Sequence, residues 1–349
     1  MTDNRAVRLH AAHDLRLDPV ADPAPGPGEV RVAVAAGGIC GSDLHYYHDG
    51  GFGPIRVREP IVLGHEIAGR IESLGAGVTG LAPGELVAVN PSQPCGHCRF
   101  CAEGAENQCL GMRFMGSAMR LPHEQGGFCD RLVVPAARAL PLRRVDDPAL
   151  AACAEPLAVC LHAARLAGEL EGRRVLVTGA GPIGVLTTAV ARAAGASEVV
   201  TTDLQGFALD VARRMGAHHA LDVGRDPAAL DPWAEDRGRF DTVFECSAAA
   251  PAIAQALACL KPRGTLVQVG MAGPTAIPLN LLVGKEITLR GAFRFDREFA
   301  EAVEAIATRR IDVRPAITGT WPVERAEEAF AAASDRARAV KVHLTFGEG

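Results

Sequence analysis

The sequence predicts an α/β protein in two parts, a β-rich domain and a doubly wound parallel sheet. Three observations lead there. The 349 residues are 48% apolar, enough to fill two cores of ordinary size. Up to about residue 150 the chain breaks into short β-rich runs ended by Gly, Pro or Asn. From Glu155 onward, helical runs alternate with short apolar strands, the pattern of a parallel sheet.

In chain order, PVADPAPGPG reads as a surface connection, and EVRVAVAA, AGRIESLG, ELVAV and FCDRLVVP read as strands of the first part. The second part begins with the strand RRVLVTG, the helix PIGVLTTAVARAAG, the strand EVVTTD and the helix FALDVARRMG. DTVFEC, PAIAQALACLK and GTLVQVG continue the alternation, and KEITLRGAF adds a last strand. DREFAEAVEAIATRR and ERAEEAFAAAS then read as helices and AVKVHLTF as a terminal strand, too little to stand alone. The expected organisation is discontinuous: residues 1–156 with 292–349 form one domain, 157–291 the other, and a cleft lies where they meet.

A net charge of -5, with Lys and Arg spread along the chain, lacks the basic footprint of a nucleic-acid binder. The charged start MTDNRAVRLHAAHDLRLD has no apolar signal region, so a cytoplasmic protein is expected. Seventeen uncharged residues between Arg174 and Arg192 approach the length of a membrane span, but Gly179, Gly181, Pro182 and Gly184 interrupt them, and no membrane segment is assigned. Only three lysines accompany thirty-three arginines, which reads as genome composition and not as a site.

GAGPIG sets Gly179, Gly181 and Gly184 at GxGxxG spacing, directly after an apolar strand and before a helix. Such glycines allow a tight turn and let backbone N–H groups approach a pyrophosphate at the positive end of the helix. Asp203 closes the next strand, where a carboxylate accepts from both ribose hydroxyls and repels a 2′-phosphate. No Lys or Arg occurs from Leu204 through Ala212, so NAD is favoured over NADP. The alternative is an ordinary strand–helix turn.

CGHCRFCAEGAENQC places Cys95, Cys98, Cys101 and Cys109 at intervals of two, two and seven residues. Four thiolates on one loop suit a tetrahedral zinc with no open position. An iron–sulfur cluster shares the first intervals, but the proline that often follows its last cysteine is missing here. A redox pair would not need four members.

Cys40 in GGICGSDLHYYH, His65 in VLGHEIAG and Glu155 in AEPLAV are too far apart for spacing to join them. Singly, they fit a small buried hydrophobe, a hydrogen-bonded core histidine and a carboxylate at a helix start.

Taken together, GHEIAG, CGSDLHYY, the four-cysteine loop, the GAGPIG turn and EPLAV resemble the zinc-dependent medium-chain alcohol dehydrogenases, in their polyol branch, over the whole chain. That resemblance implies a GroES-like β domain holding two zincs and a Rossmann NAD-binding domain. It makes Cys40, His65 and Glu155 ligands of a catalytic zinc with a fourth position open, and the other four cysteines ligands of a structural zinc. Glu66 resembles a glutamate that sits behind the catalytic zinc. Ser42 is expected to accept the hydroxyl proton and His45 to pass it outward, although a solvated loop histidine is the plainer reading of His45; His48 has no assigned role. Pro182, Ile183, Val269 and Gly270 join the three glycines and Asp203 around the cofactor.

Tyr46, Phe114, Phe293, Arg294 and Phe295 match positions lining the polyol pocket. Arg56 and Arg58, alternating on an extended segment, are candidates for a carboxylate clamp, with a solvated strand face as the alternative and Arg113 a further candidate. Cys129, Asp130 and Arg131 stand where relatives often have an aromatic, with no function attached; Cys129, Cys153, Cys160, Cys246 and Cys259 read as packing residues. The expected function is NAD-dependent oxidation of a secondary alcohol of a sugar acid, with a neutral polyol as the alternative substrate, by a homo-oligomer, a dimer or tetramer. A zinc-free reductase or a non-catalytic binding protein of this fold is disfavoured because Cys40, His65 and Glu155 are all present.

Overall fold

The computed structural model describes residues 4–271 and 273–347. Its β-rich part centres on Glu29–Gly38, where Val30, Val32 and Val34 alternate inward with period two. This strand pairs antiparallel with Glu66–Leu74, Arg131–Pro135 and Lys341–Thr345. Leu86–Val89 and Ala139–Pro141 extend the sheet on one side; Ile317–Pro322, parallel to Lys341–Thr345, extends it on the other. The register sets Gly38 opposite both Glu66 and His343, so three distant segments converge where the strand runs into Cys40.

Ahead of this sheet lies a hairpin, Arg5–Ala11 with Asp14–Pro19, that the sequence reading left unassigned. Val7, Leu9 and Leu15 are buried along it, the two leucines between polar neighbours. FCDRLVVP is a strand only over Arg131–Pro135; Phe128 is instead a fully buried plug with its ring 6.5 Å from Phe330 and 6.4 Å from Phe346.

The second sheet has six parallel strands in the order His219–Asp222, Glu198–Asp203, Arg174–Thr178, Phe240–Glu245, Leu260–Gln268, Thr288–Gly291. Strand order reverses between Arg174–Thr178 and Phe240–Glu245, and the crevice beyond their carboxyl ends is where doubly wound sheets bind ligands. KEITLRGAF contributes only Thr288–Gly291, an exposed edge and not a core strand.

The apolar run after Arg174 folds as a strand, a glycine turn and the helix Pro182–Ala193. Among the described residues, one helical stretch, Pro148–Ala167, is long and apolar enough to cross a membrane, and it is 61% buried inside the fold. Its second part, Ala154–Ala167, packs on Pro182–Ala193 and on Glu298–Ala307.

Candidate functional site

Cys40 sits at the end of the central strand in extended conformation and starts the helix Gly41–Asp49. Its N–H donates to the Asp43 carboxylate at 3.0 Å, and the other Asp43 oxygen accepts from the Gly64 N–H at 3.3 Å. That oxygen also lies 3.9 Å from His65 Nδ1. One fully buried carboxylate thus fixes the backbone at Cys40 and Gly64 and faces the ring of His65, the place of the carboxylates that stand behind metal-binding histidines. The sequence reading missed Asp43; its signal was the Asp three residues into a helix that begins at a candidate ligand.

Cys40, His65 and Glu66 present ligand atoms within 4.8 Å of one another, and Glu155 stands outside that cluster. Glu155 opens the helix Ala154–Ala167, fully buried; burial pushes its carboxyl up to about 7 against the opposing pull of His65. Burial also disfavours a charged His65, yet Asp43, Cys40 and Glu155 outweigh it and bring the imidazole to about 10. A pocket that holds a proton on histidine this firmly favours positive charge. A thiol, an imidazole and carboxylates in such a field fit zinc, whose uptake displaces those protons.

Glu66 is also held from behind. Lys341 Nζ lies 2.7 Å from both its carboxylate oxygens and donates to the Ile39 carbonyl at 3.1 Å, with both side chains buried. A Cβ on Gly38 would stand 2.0 Å from Glu66 Oε2, so only glycine fits beside this pair. This corrects the reading of lysine usage as composition alone: a lone lysine at an inward position of AVKVHLTF marked a buried charge.

Phe114 lies 5.5 Å from the His65 ring, tilted by 54°, and the Arg294 guanidinium lies 3.9 Å above Phe114 and 4.9 Å from Phe293. Tyr46 is buried, its hydroxyl accepting from the Ala118 N–H at 3.2 Å. Phe295 departs from the expected pocket wall: it turns into the core, 5.6 Å from Phe299. Arg56 also differs. It ends a two-residue strand, Ile55–Arg56, and folds back onto its own hairpin by donating to the carbonyls of Gly53 and Ile55 at 2.5 and 2.8 Å. Arg58 is exposed, and Arg113, also exposed, is paired with Glu124 at 2.8 Å.

On the helix Gly41–Asp49, Ser42 is half-buried and His45, one turn on, is exposed. His45 Nδ1 is 3.1 Å from the Asp49 carboxylate and its ring lies 4.8 Å from Phe52. His48 meets the Ser334 hydroxyl at 2.8 Å, tying this helix to Ala326–Ser334.

The thiols of Cys95, Cys98, Cys101 and Cys109 also lie within 4.8 Å of one another. Cys109 Sγ accepts from the N–H groups of Cys95 and Gly111 at 3.1 and 3.3 Å, and hydrogen bonds from Cys101 and Leu110 pull the Cys98 thiol down to about 6. Backbone donors aimed at sulfur favour thiolates, the form a metal binds.

At the glycine turn, Gly179 adopts φ 85° and Gly181 caps the helix Pro182–Ala193 with open space where a side chain would stand. A Cβ on Gly184 would come 1.8 Å from the Gly179 carbonyl oxygen. Gly184→Ala is therefore expected to displace the turn and raise the Km for dinucleotide about tenfold or more in initial-rate assays, with little change in the substrate Km. Asp203 accepts from the Ala180 N–H at 2.6 Å and from the N–H groups of Leu204 and Gln205 at 2.7 and 2.9 Å. Arg213 turns away to Asp210 and the Ala220 carbonyl.

Glu245, missed in the sequence, organises the far side of this crevice. Its buried carboxylate accepts from Thr178 Oγ1 at 3.2 Å, the Ser247 N–H at 2.9 Å and Gln268 Nε2 at 2.5 Å. Its carbonyl receives the N–H groups of Val269 and Gly270 at 2.9 and 2.8 Å. Its position as the last residue of the apolar strand in DTVFEC was the available signal.

Comparison with known proteins agrees with this geometry. The family described as alcohol dehydrogenase GroES-like domain matches residues 26–144, and zinc-binding dehydrogenase matches residues 182–308. L-idonate 5-dehydrogenase (NAD(P)(+)) of Escherichia coli is 43% identical over 316 residues, covering 90% of this chain and 91% of its own. Sorbitol dehydrogenase of Pongo abelii is 36% identical over 331 residues, covering 94% and 92%. The crystal structure of L-idonate 5-dehydrogenase from Escherichia coli superposes with a TM-score of 0.94 at 40% identity, over 98% of each chain.

Proposed function

The chain belongs to the zinc-binding alcohol dehydrogenases with a GroES-like domain, and on that premise we propose that it oxidises L-idonate at carbon 5 to 5-keto-D-gluconate with NAD. The observation that carries a sugar-acid substrate is Arg294. Its guanidinium lies over Phe114, beside the ligand cluster, with Glu155 as a charged neighbour and the Met119 sulfur 3.3 Å away, and no carboxylate lies within salt-bridge distance of it among the described residues. A carboxylate or a run of hydroxyls would complete its donors.

Two zincs per chain are part of the proposal, one held by Cys40, His65 and Glu155 and one by Cys95, Cys98, Cys101 and Cys109. The first would polarise the substrate oxygen and ease loss of its proton, and NAD supplies the hydride acceptor. The chain's own residues do the rest. Asp43 keeps His65 and Cys40 aimed inward, and Lys341 holds Glu66 behind them. Ser42 accepts the hydroxyl proton, and His45, exposed on the same helix, delivers it to solvent. Gly179 through Gly184 cradle the pyrophosphate, Asp203 takes the ribose, and Val269 with Gly270 closes the crevice. With no cation from Leu204 through Ala212 and Arg213 engaged elsewhere, NAD is the preferred dinucleotide.

We assign residues 1–156 and 292–349 to the GroES-like domain and 157–291 to the Rossmann domain, a division that falls inside the helix Ala154–Ala167. Assembly as a dimer or tetramer is supported by the exposed edge strand Thr288–Gly291 and, beside it, Leu279 and Val283 at 66% and 73% exposure. Ten free cysteines suit the reducing cytoplasm.

A neutral polyol is the second reading, favoured by the likeness to sorbitol dehydrogenase and by Arg56 being folded on its own hairpin. NADH formation with L-idonate, sorbitol and xylitol separates the two. The expected result is the highest kcat/KM for L-idonate, and Arg294→Met raising its Km about 10- to 100-fold while changing that for sorbitol less. A higher kcat/KM for sorbitol or xylitol would overturn the sugar-acid assignment and leave the dehydrogenase standing.

A further inference from the structure

Asn107 lies in the turn Glu106–Gln108, between Cys101 and Cys109 of the four-thiol loop. Its side-chain amide donates to the Phe293 carbonyl at 2.9 Å, across 186 positions of sequence. The backbone of the neighbouring Glu106 lies near enough to the Asp296 carboxyl to lower its proton affinity slightly, although burial raises it overall. The loop therefore holds the start of the segment 293–296 through Asn107 and adjoins its end through Glu106.

Between those two points stands Arg294 with φ 54°. A non-glycine residue holds left-handed backbone only where its surroundings impose it. Here the other side of the segment is fixed too. The Asp296 N–H donates to Glu298 at 2.8 Å, and Glu298 meets His162 at 3.2 Å and Arg165 at 3.1 Å, both on the helix that opens with Glu155. The Asn107 amide lies 3.5 Å from His162 Nε2 as well. A single polar link thus joins the four-thiol loop, the Arg294 turn and the helix bearing Glu155.

We infer that Asn107 is a positioning residue for substrate recognition, fixing the left-handed turn from which Arg294 reaches the substrate. Without the amide donor, the partly buried Phe293 carbonyl loses its partner and Arg294 is free to relax toward right-handed backbone, which carries its guanidinium off the Phe114 face. Hydride transfer depends on the metal cluster and the dinucleotide, neither of which Asn107 touches. The cost falls on substrate affinity. The inference rests on the reading of Arg294 as a substrate contact.

Steady-state kinetics of the holoenzyme with L-idonate and NAD tests it, with zinc content and thermal midpoint measured for every variant. Asn107→Leu is expected to raise the substrate Km about tenfold, with kcat within about twofold and the Km for NAD unchanged. Asn107→Gln, which keeps an amide donor, recovers the substrate Km to within about threefold of wild type. Asp296→Asn removes the charge that faces Glu106 at the other end of the segment and gives the same Km-only signature, about threefold, should Asn107→Leu fold poorly. An unchanged substrate Km in both Asn107→Leu and Asp296→Asn, or a parallel loss of kcat and NAD affinity, overturns the inference. If Arg294→Met itself leaves the Km unmoved, the substrate-contact reading falls and this inference with it; if Arg294→Met raises the Km and neither supporting variant does, only the role of Asn107 falls.

Discussion

His65→Ala is expected to lower kcat/KM by about four orders of magnitude, equivalent to about 5 kcal/mol of transition-state stabilisation. Zinc content should fall by the one ion proposed for this pocket, because the four-thiol loop shares no ligand with it. The size of the effect follows from what surrounds the ring. His65 is buried among Asp43, Cys40 and Glu155, all acidic, and without the imidazole that charge has no neutral donor to share a metal. The metal-free pocket settles its charge by binding protons: the Glu155 carboxyl at about 7 and the His65 ring at about 10 are both raised. The sign is the same for each. A raised folded-state value contributes stability below the unfolded value that is lost as pH rises, from about 4.5 toward 7 for Glu155 and from about 6.5 toward 10 for His65. Chelator-treated wild type should therefore lose stability across that range while the zinc-loaded enzyme does not, and zinc should bind more tightly as pH rises. A His65→Ala enzyme that retained two zincs and ordinary turnover would remove this residue from the site.

The pattern of legibility has a physical basis. Period-two alternation in EVRVAVAA and the strand–turn–helix rhythm after Arg174 are local properties, and the strands and helices appear where those periods place them. The four-cysteine loop was equally visible because all its donors lie on one short segment. Cys40 and His65 were not joinable by spacing, since a strand register brings them together; the likeness to a family supplied what spacing could not. Phe295 and Arg56 were misplaced for a related reason. Neighbours in sequence need not share an environment, so Arg294 faces the ligand cluster while Phe295 enters the core. Arg56 satisfies carbonyls of its own hairpin, a contact fixed by turn geometry and not by residue pattern. Asp43, Glu245 and Lys341 are buried charges whose partners lie on other segments, and a single sequence carries their pairing only as an oddity of polarity.

Lys341→Met is the sharpest test of one such pairing. Lys341 and Glu66 face each other at 2.7 Å with almost no solvent contact, so removing the ammonium leaves a buried carboxylate without its cation. Breaking a buried pair from one side costs about 3–5 kcal/mol, a large share of a typical folding free energy. Chemical denaturation of the zinc-loaded enzyme should show that loss. Burial alone would lower the lysine's affinity for its proton, but Glu66 and Cys40 outweigh it and hold it raised. The lysine therefore keeps its charge throughout the neutral range and loses it only in strong alkali. Glu66→Gln in the same chain should restore most of the stability, since removing both charges leaves no orphan. The metal site responds in the opposite direction. Without Lys341, Glu66 lies within 4.8 Å of the Cys40 and His65 ligand atoms with nothing drawing it back, so it can fill the position the substrate oxygen needs. Replacing zinc with cobalt makes that visible: Lys341→Met should shift the cobalt absorption bands and raise the substrate Km, and Lys341→Met with Glu66→Gln should reverse both. If the single variant keeps wild-type bands and loses only stability, Lys341 secures the fold around Glu66 without governing its access to the metal.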